Sequence, residues 1–231
     1  AGQEGLYHEG PNDSHYSDVF VVSCGQDTTN TYDNVVCTGT YGHAHWTRLH
    51  SWRWSPEAAG GYVGFVYPRY ALRVESDGNE FDSCDLEGGY TGNVLLTGGY
   101  NAFNSTCAFY GVRAGGSNVV IKSSFNNIKG RLTSPESGSC RGIVLGTGSD
   151  TVSYSVIDVI ASEQQSGVID HTNSDGYNVI RMCGVNSAGT FQVGARHIYD
   201  ECDIYIGGGG GGLLNESGLG HRYTNGYLKR S

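Results

Sequence analysis

Three carboxylates within a short stretch have a spacing that suits acid–base chemistry. In the segment FDSCDLE at 81–87 the apolar residues are expected to face the interior, which leaves Asp82 and Asp85 facing outward. Glu75, one bend earlier in LRVES, faces outward by the same alternation. Glycoside hydrolysis needs an acid and a base or nucleophile, about 5–5.5 Å apart for retention and about 6.5–9.5 Å for inversion. We therefore predict Asp82, Asp85 and Glu75 as catalytic candidates; the alternative is ordinary surface acids in a chain with 23 of them.

An aromatic segment at 40–70 offers a second kind of chemistry. It carries all three tryptophans, Trp46, Trp52 and Trp54, together with three of the eight histidines. Aromatic rings stack on sugars, and Arg53 could donate hydrogen bonds to hydroxyl groups. We therefore predict substrate binding by Trp52, Trp54, Trp46 and Arg53. The alternative is that these rings pack in the core or at a subunit interface, where aromatic residues are enriched.

Other reactive residues do not form a recognisable site. His43 and His45 would share one side of a strand, but no acidic partner stands near them in sequence, so no metal site is expected. Asp170 and His171 suggest an acid–base pair, yet no serine stands in a GxSxG setting. The seven cysteines include no CxxC pair and are expected to be buried free thiols. We expect neither a metal nor a cofactor.

The composition indicates an all-β protein and excludes several classes. Charged residues make up 16 % of the 231 residues, against a usual share of about 25 %. The 37 glycines show no Gly-X-Y period, which excludes collagen. A net charge of −9 argues against a nucleic-acid partner. Apolar stretches are too short for a membrane span, so no membrane insertion is expected.

A repeated pattern predicts the architecture. SDGNEFDSCDLEGG at 76–89 aligns with NSDGYNVIRMCGVNSAG at 173–189 when Asn79 is placed on Asn178, and looser copies lie between them. Each copy reads as two short strands joined by a bend, which predicts stacked coils of a solenoid. The fold class is therefore all-β, a parallel β-helix. An antiparallel sandwich fits the composition but not the repeat.

The repeat also sets the expected domain organisation. The β-helix is expected over 1–195, with an aromatic-rich insertion at about 40–70. Residues 196–231 contain six consecutive glycines and are expected to form a glycine-rich tail or cap. One ladder of interior residues is expected to run along the axis, formed by Phe81, Phe103, Ile121, Val152 and Ile180.

The coils marked by Asn79, Asn101, Asn118 and Asn178, together with HSWRW at 50–54, resemble the tailspikes of bacteriophages. These belong to the right-handed parallel β-helix, pectate-lyase-like superfamily. The resemblance implies a homotrimer on the virion tail, outside the cell, that binds bacterial surface polysaccharide during host attachment. Many such tailspikes also cleave the polysaccharide, as hydrolases or lyases.

Three functions remain open at this stage. The first is a phage tail-spike or fibre adhesin that recognises surface polysaccharide and could act as a glycoside hydrolase. The second is a secreted polysaccharide lyase or hydrolase that works as a monomer. The third is a non-catalytic structural segment of a fibre. A lyase base is usually Lys or Arg, and lysine occurs only at 122, 129 and 229, so hydrolysis is favoured over the lyase reaction.

Overall fold

The computed structural model is an all-β parallel solenoid. It describes residues 4–10, 13–22, 30–40, 42–53, 67–113, 115–133, 140–146, 149–161 and 176–187, together with the strands at 166–170, 191–193, 198–200, 203–206, 214–216, 222–224 and 227–230. Side chains are described up to residue 160 and again at 176–181. Among these residues there is no helix that is long and apolar enough to cross a membrane.

Each coil contributes one strand to sheet A, which has nine strands in the described part of the chain. These strands are β1 (Leu6–Glu9), β4 (Val35–Thr38), β7 (Tyr70–Val74), β10 (Gly92–Leu96), β13 (Ser117–Ile121), β15 (Arg141–Leu145), β17 (Ser166–Asp170), β19 (Phe191–Val193) and β22 (Leu214–Glu216).

The rest of each coil forms the fifteen-stranded sheet B, as two short strands or one longer bent strand. The strands of this sheet are β2 (His15–Ser17), β3 (Phe20–Val22), β5 (His45–Thr47), β6 (His50–Trp52), β8 (Glu80–Asp82), β9 (Asp85–Glu87), β11 (Ala102–Phe103), β12 (Ala108–Tyr110), β14 (Asn127–Leu132), β16 (Val156–Ala161), β18 (Val179–Ser187), β20 (Ile198–Asp200), β21 (Asp203–Ile206), β23 (Arg222–Thr224) and β24 (Tyr227–Arg230).

Every described strand pairs in parallel with its equivalent in the next coil, as β7 does with β10 and β10 with β13. This confirms the predicted parallel solenoid and excludes the antiparallel sandwich. The pairing continues past residue 195, since β20 pairs with β23 and β21 with β24. Strands β5 and β6 lie within residues 40–70. The glycine run at 207–212 lies outside the described residues.

The core is a set of stacked side chains between the two sheets. Trp46, Phe81 and Phe103 are fully buried, and their rings stack at centroid distances of 6.3 Å and 4.5 Å. The register continues this ladder through Ile128, Ile157 and Ile180. The alignment of Phe81 with Ile180 is thus confirmed. Two members of the expected ladder are buried elsewhere. Ile121 lies on sheet A, in β13, and Val152 lies in the turn before β16 of sheet B. Loops of unequal length separate the coils, so the spacing of residues along the sequence does not show which residues are equivalent in successive coils.

Four cysteines in the described residues are buried and free. They are Cys37, Cys84, Cys107 and Cys140. Their thiols fill small spaces in the interior, and burial raises the pKa of the Cys140 thiol to about 11. The prediction of buried free thiols holds for these four.

At the turn before the strands of sheet B, buried side-chain oxygens accept hydrogen bonds from backbone N–H groups of the preceding coil. We call this series of residues the asparagine ladder. The backbone N–H of Asn79 donates to Oδ1 of Asn101 at 2.9 Å, and that of Asn101 donates to Oδ1 of Asn126 at 3.0 Å. Ser155 and Asn178 continue the series, with the Ser155 N–H donating to Oδ1 of Asn178 at 2.8 Å. All five side chains are at most 1 % exposed. Because a buried N–H without a partner is costly, these amides lock each coil onto the next.

The residue before each ladder position has a left-handed backbone and, in four successive coils, an exposed aromatic ring. These rings form the outer aromatic ladder, which consists of Tyr100, Phe125, Tyr154 and Tyr177, with φ between 47° and 64°. Neighbouring rings stack at centroid distances of 4.9, 5.4 and 5.6 Å. Gly78 takes the equivalent position one coil earlier, also at positive φ. A bulky residue at positive φ is uncommon and strained.

Replacement of one ladder amide tests this account of the turns. Asn101→Ala removes the acceptor of the Asn79 backbone N–H, whereas the Asn79 side-chain amide still donates to Ser76. One unsatisfied buried group costs about 1–3 kcal/mol, so we expect the free energy of unfolding to fall by about that amount. Chemical denaturation measures this change. The control Asn104→Ala removes an exposed amide and is expected to change stability by less than about 0.5 kcal/mol. Equal effects of the two substitutions would contradict the ladder's role.

Candidate functional site

A pair of carboxylates projects from the outer surface of sheet B on strand β9. Leu86 between them is fully buried, so Asp85 and Glu87 point to the opposite, outer side. Residues two apart on a strand have Cα atoms about 6.6 Å apart. The two carboxyl groups therefore lie side by side on one face, and a pair of neighbouring carboxyl groups is what glycoside hydrolysis needs.

The surroundings of Glu87 favour its protonated form. Burial is the largest influence and raises the pKa of Glu87, and the nearby charge of Asp85 adds to the rise. A hydrogen bond from Tyr110 and the charge of Arg53 oppose it. Tyr110 lies in the next coil, where it pairs with Glu87. Burial and the charge of Glu87 raise the pKa of the Tyr110 hydroxyl above its usual range. A carboxyl with a raised pKa can act as a general acid nearer neutral pH.

The preceding coil places aromatic and imidazole rings beside the two acids. His50 pairs with Asp85 across the strands, and Ser51 pairs with Leu86. Trp52 is the next residue on β6 and lies on the same outer face as His50. The rings of His50 and Trp52 lie 3.8 Å apart between centroids, and Trp52 is half-buried. Burial lowers the pKa of His50, and the charge of Asp85 partly opposes this. The surface thus combines two carboxylates, a tryptophan face and a largely neutral imidazole.

Asp82 and Asp85, the predicted acid pair, lie on either side of one bend. Ser83 forms the bend with a φ of 54°. Asp82 ends β8, and its Oδ1 accepts a hydrogen bond from the Thr106 hydroxyl of the next coil at 3.1 Å. The bend puts Asp82 on the other strand of sheet B, whereas Glu87 shares a strand and a face with Asp85.

Glu75, the third predicted acid, is engaged on the other sheet. It follows strand β7 and accepts a hydrogen bond from Arg73, whose Nε also lies 2.6 Å from a carboxylate oxygen of the buried Asp33. Arg69 contacts Asp33 as well, at 2.7 Å. Glu75 therefore belongs to an ion-pair cluster at sheet A and not to the group around Asp85.

The four residues predicted for sugar binding have different positions. Trp46 is fully buried between Tyr16 and Phe81, so packing explains it and its ring does not reach a surface ligand. Trp52 is on the outer surface described above. The guanidinium of Arg53 lies 4.4 Å above the ring centre of Tyr67. Trp54 lies outside the described residues.

No protein-family model matches this chain, nor does any curated protein or any solved structure. The function must therefore be argued from the site itself. Sequence reasoning overlooked Glu87, although its spacing of two from Asp85 on an alternating strand was a usable signal. The spacing along one strand could not show that Tyr110 and Trp52 belong to the same surface as Glu87, because these two residues come from neighbouring coils.

The hydrogen bond from Tyr110 should act measurably on Glu87. Because this bond stabilises the carboxylate, Tyr110→Phe removes it while keeping the ring, and the pKa of Glu87 should rise further. Carboxyl-carbon NMR titration measures the shift directly. The control Tyr100→Phe alters an exposed hydroxyl of the outer aromatic ladder and should leave the Glu87 titration unchanged. A fall in the Glu87 pKa in Tyr110→Phe would contradict the arrangement.

Proposed function

We propose that this chain binds polysaccharide along the outer surface of sheet B and hydrolyses a glycosidic bond there. The observation that carries the proposal is the pair formed by Asp85 and Glu87, with the Glu87 pKa raised by burial, beside the half-buried ring of Trp52. A carboxyl with a raised pKa, a second carboxylate and a stacking surface are the parts that this reaction needs.

The proposed reaction assigns one role to each acid. Protonated Glu87 gives its proton to the glycosidic oxygen as the bond from that oxygen to the anomeric carbon breaks. Asp85 accepts a proton from a water molecule whose oxygen forms the new bond to the anomeric carbon. Asp82 is the third acid candidate, from across the bend.

We further propose that the chain is a tail-spike or fibre adhesin of a bacteriophage, a homotrimer exposed on the virion that attaches to bacterial surface polysaccharide. The parallel solenoid supports this, as does the outer aromatic ladder, because large exposed apolar surfaces are commonly covered by a partner. A right-handed coil is proposed because crossovers between parallel strands are right-handed in about 98 % of cases. A monomeric secreted enzyme and a non-catalytic fibre segment are the competing functions.

Substitution of the two acids tests the hydrolase. Glu87→Gln and Asp85→Asn keep the side-chain shape but remove the ionisable groups, and each should lower the release of reducing ends by at least about 100-fold, with glycan binding retained. The substrate is purified surface polysaccharide, assayed by reducing-end release and size-exclusion chromatography. The matched control, Glu75→Gln, alters an acid of the sheet A cluster and should keep activity. Asp82→Asn in parallel shows whether the third acid contributes. Full activity in the Asp85→Asn, Glu87→Gln double variant would contradict the proposed site.

Oligomeric mass tests the adhesin. We expect a closed trimer in sedimentation analysis at micromolar concentration, because a homo-oligomer of this kind closes by rotational symmetry. Phe125→Ser and Tyr154→Ser together shorten the outer aromatic ladder and should weaken assembly if this face is the covered one. A monomeric wild type that still cleaves polysaccharide would instead favour the secreted enzyme.

A further inference from the structure

A cleft opens at the turn that leads from the second strand of sheet B back to sheet A. Its volume is about 440 Å³, and its lining in the described part of the chain consists of Asn30, Tyr67, Tyr90 and Arg113. We call it the Arg113 cleft. Tyr67 and Tyr90 come just before strands β7 and β10, and Arg113 follows β12, so consecutive coils build it.

The aromatic rings hold the guanidinium of Arg113 in place. Its Cζ lies 4.1 Å from the ring centre of Tyr90 and 5.8 Å from that of Tyr67. The two rings meet edge to face, with centroids 6.2 Å apart at an angle of 67°. A guanidinium stacked on an aromatic face keeps its N–H groups in the ring-parallel plane, where they can donate to a ligand. Asn30 is positioned by the Tyr67 backbone N–H, which donates to its Oδ1 at 3.3 Å.

The charge of the cleft is complementary to an anion. Arg48 and Arg69 form close ion pairs with aspartates. Arg113, by contrast, has no carboxylate within 4.0 Å among the residues that the structure describes, and its side chain is exposed. The local positive charge of Arg113 at the mouth of the aromatic cleft favours an acidic ligand over a cationic one.

Arg53 connects the Arg113 cleft to the acid pair. Its guanidinium lies over the other cleft tyrosine, Tyr67, and its charge acts on Glu87. The aliphatic part of Arg53 also packs against Gly88, the residue after Glu87; a Cβ at Gly88 would come within 2.7 Å of it. A glycan bound across Glu87 therefore has the cleft within reach of its next units.

We propose that the Arg113 cleft binds a sugar unit that bears a carboxylate, so that the polysaccharide recognised is acidic. The planar guanidinium matches a carboxylate in a two-point hydrogen bond, and the tyrosine rings offer faces to the sugar. This inference names the substrate class and rests on the proposed glycan binding, but the cleft itself is independent of catalysis.

The test is a titration of the isotopically labelled full chain with D-glucuronate, and with D-glucose as the neutral analogue, followed by the NMR signal of the Arg113 Nε–H. We expect a saturable shift with glucuronate and none with glucose. Arg113→Gln should weaken glucuronate binding at least about tenfold, monitored by backbone amides of the cleft, because a charge-assisted hydrogen bond is lost. Arg141→Gln is the matched control, an exposed arginine on sheet A, and should bind as the wild type does.

Each outcome decides the inference. An absent or equal response to the two sugars, or unchanged binding in Arg113→Gln, would overturn it. A response to inorganic phosphate but not to glucuronate would overturn the carboxylate assignment. The wild type separates the two proposals: glucuronate binding without any hydrolysis would reject only the hydrolase. Hydrolysis of a neutral glycan without glucuronate binding would reject only the acidic substrate.

Discussion

The buried backbone N–H at the turn before sheet B is the constraint on which the rest of the structure depends. No strand partner satisfies this group at the turn, so the side-chain oxygen of the next coil's asparagine takes that place, as between Asn79 and Asn101. The same asparagine uses its Nδ2 to hold its own turn, as Asn101 does by donating to the Gly98 carbonyl at 2.9 Å. One residue type therefore closes a coil and aligns it with its neighbour.

Alignment of the coils brings together side chains that are far apart along the chain. In a parallel stack, each outward position lies directly beside its equivalents in the coils on either side. Glu87 thus pairs with Tyr110 of the following coil, and Asp85 on the same strand pairs with His50 of the preceding coil. The interior ladder of Trp46, Phe81 and Phe103 fixes this register, because a shift of one residue would turn the rings out of the core.

The alignment has a local cost. The asparagine ladder requires the preceding residue to take a left-handed backbone, which asparagine and glycine tolerate best. Gly78 takes this backbone without strain, whereas Tyr100, Phe125 and Tyr154 take it at a cost of order 1–3 kcal/mol each. Stacking of their rings recovers part of that cost.

The sequence by itself determined the parallel solenoid and the outward position of Asp85. The recurrence of Asn79, Asn101 and Asn178 before alternating apolar residues is a local pattern, and local periodicity decides which side of a strand a residue faces. The tertiary structure decided which coils are neighbours, and with that the partners of Glu87 and the burial of Trp46. The physical reason is that loops of unequal length separate the coils, so the register depends on core packing and buried hydrogen bonds between distant segments, which no local spacing contains.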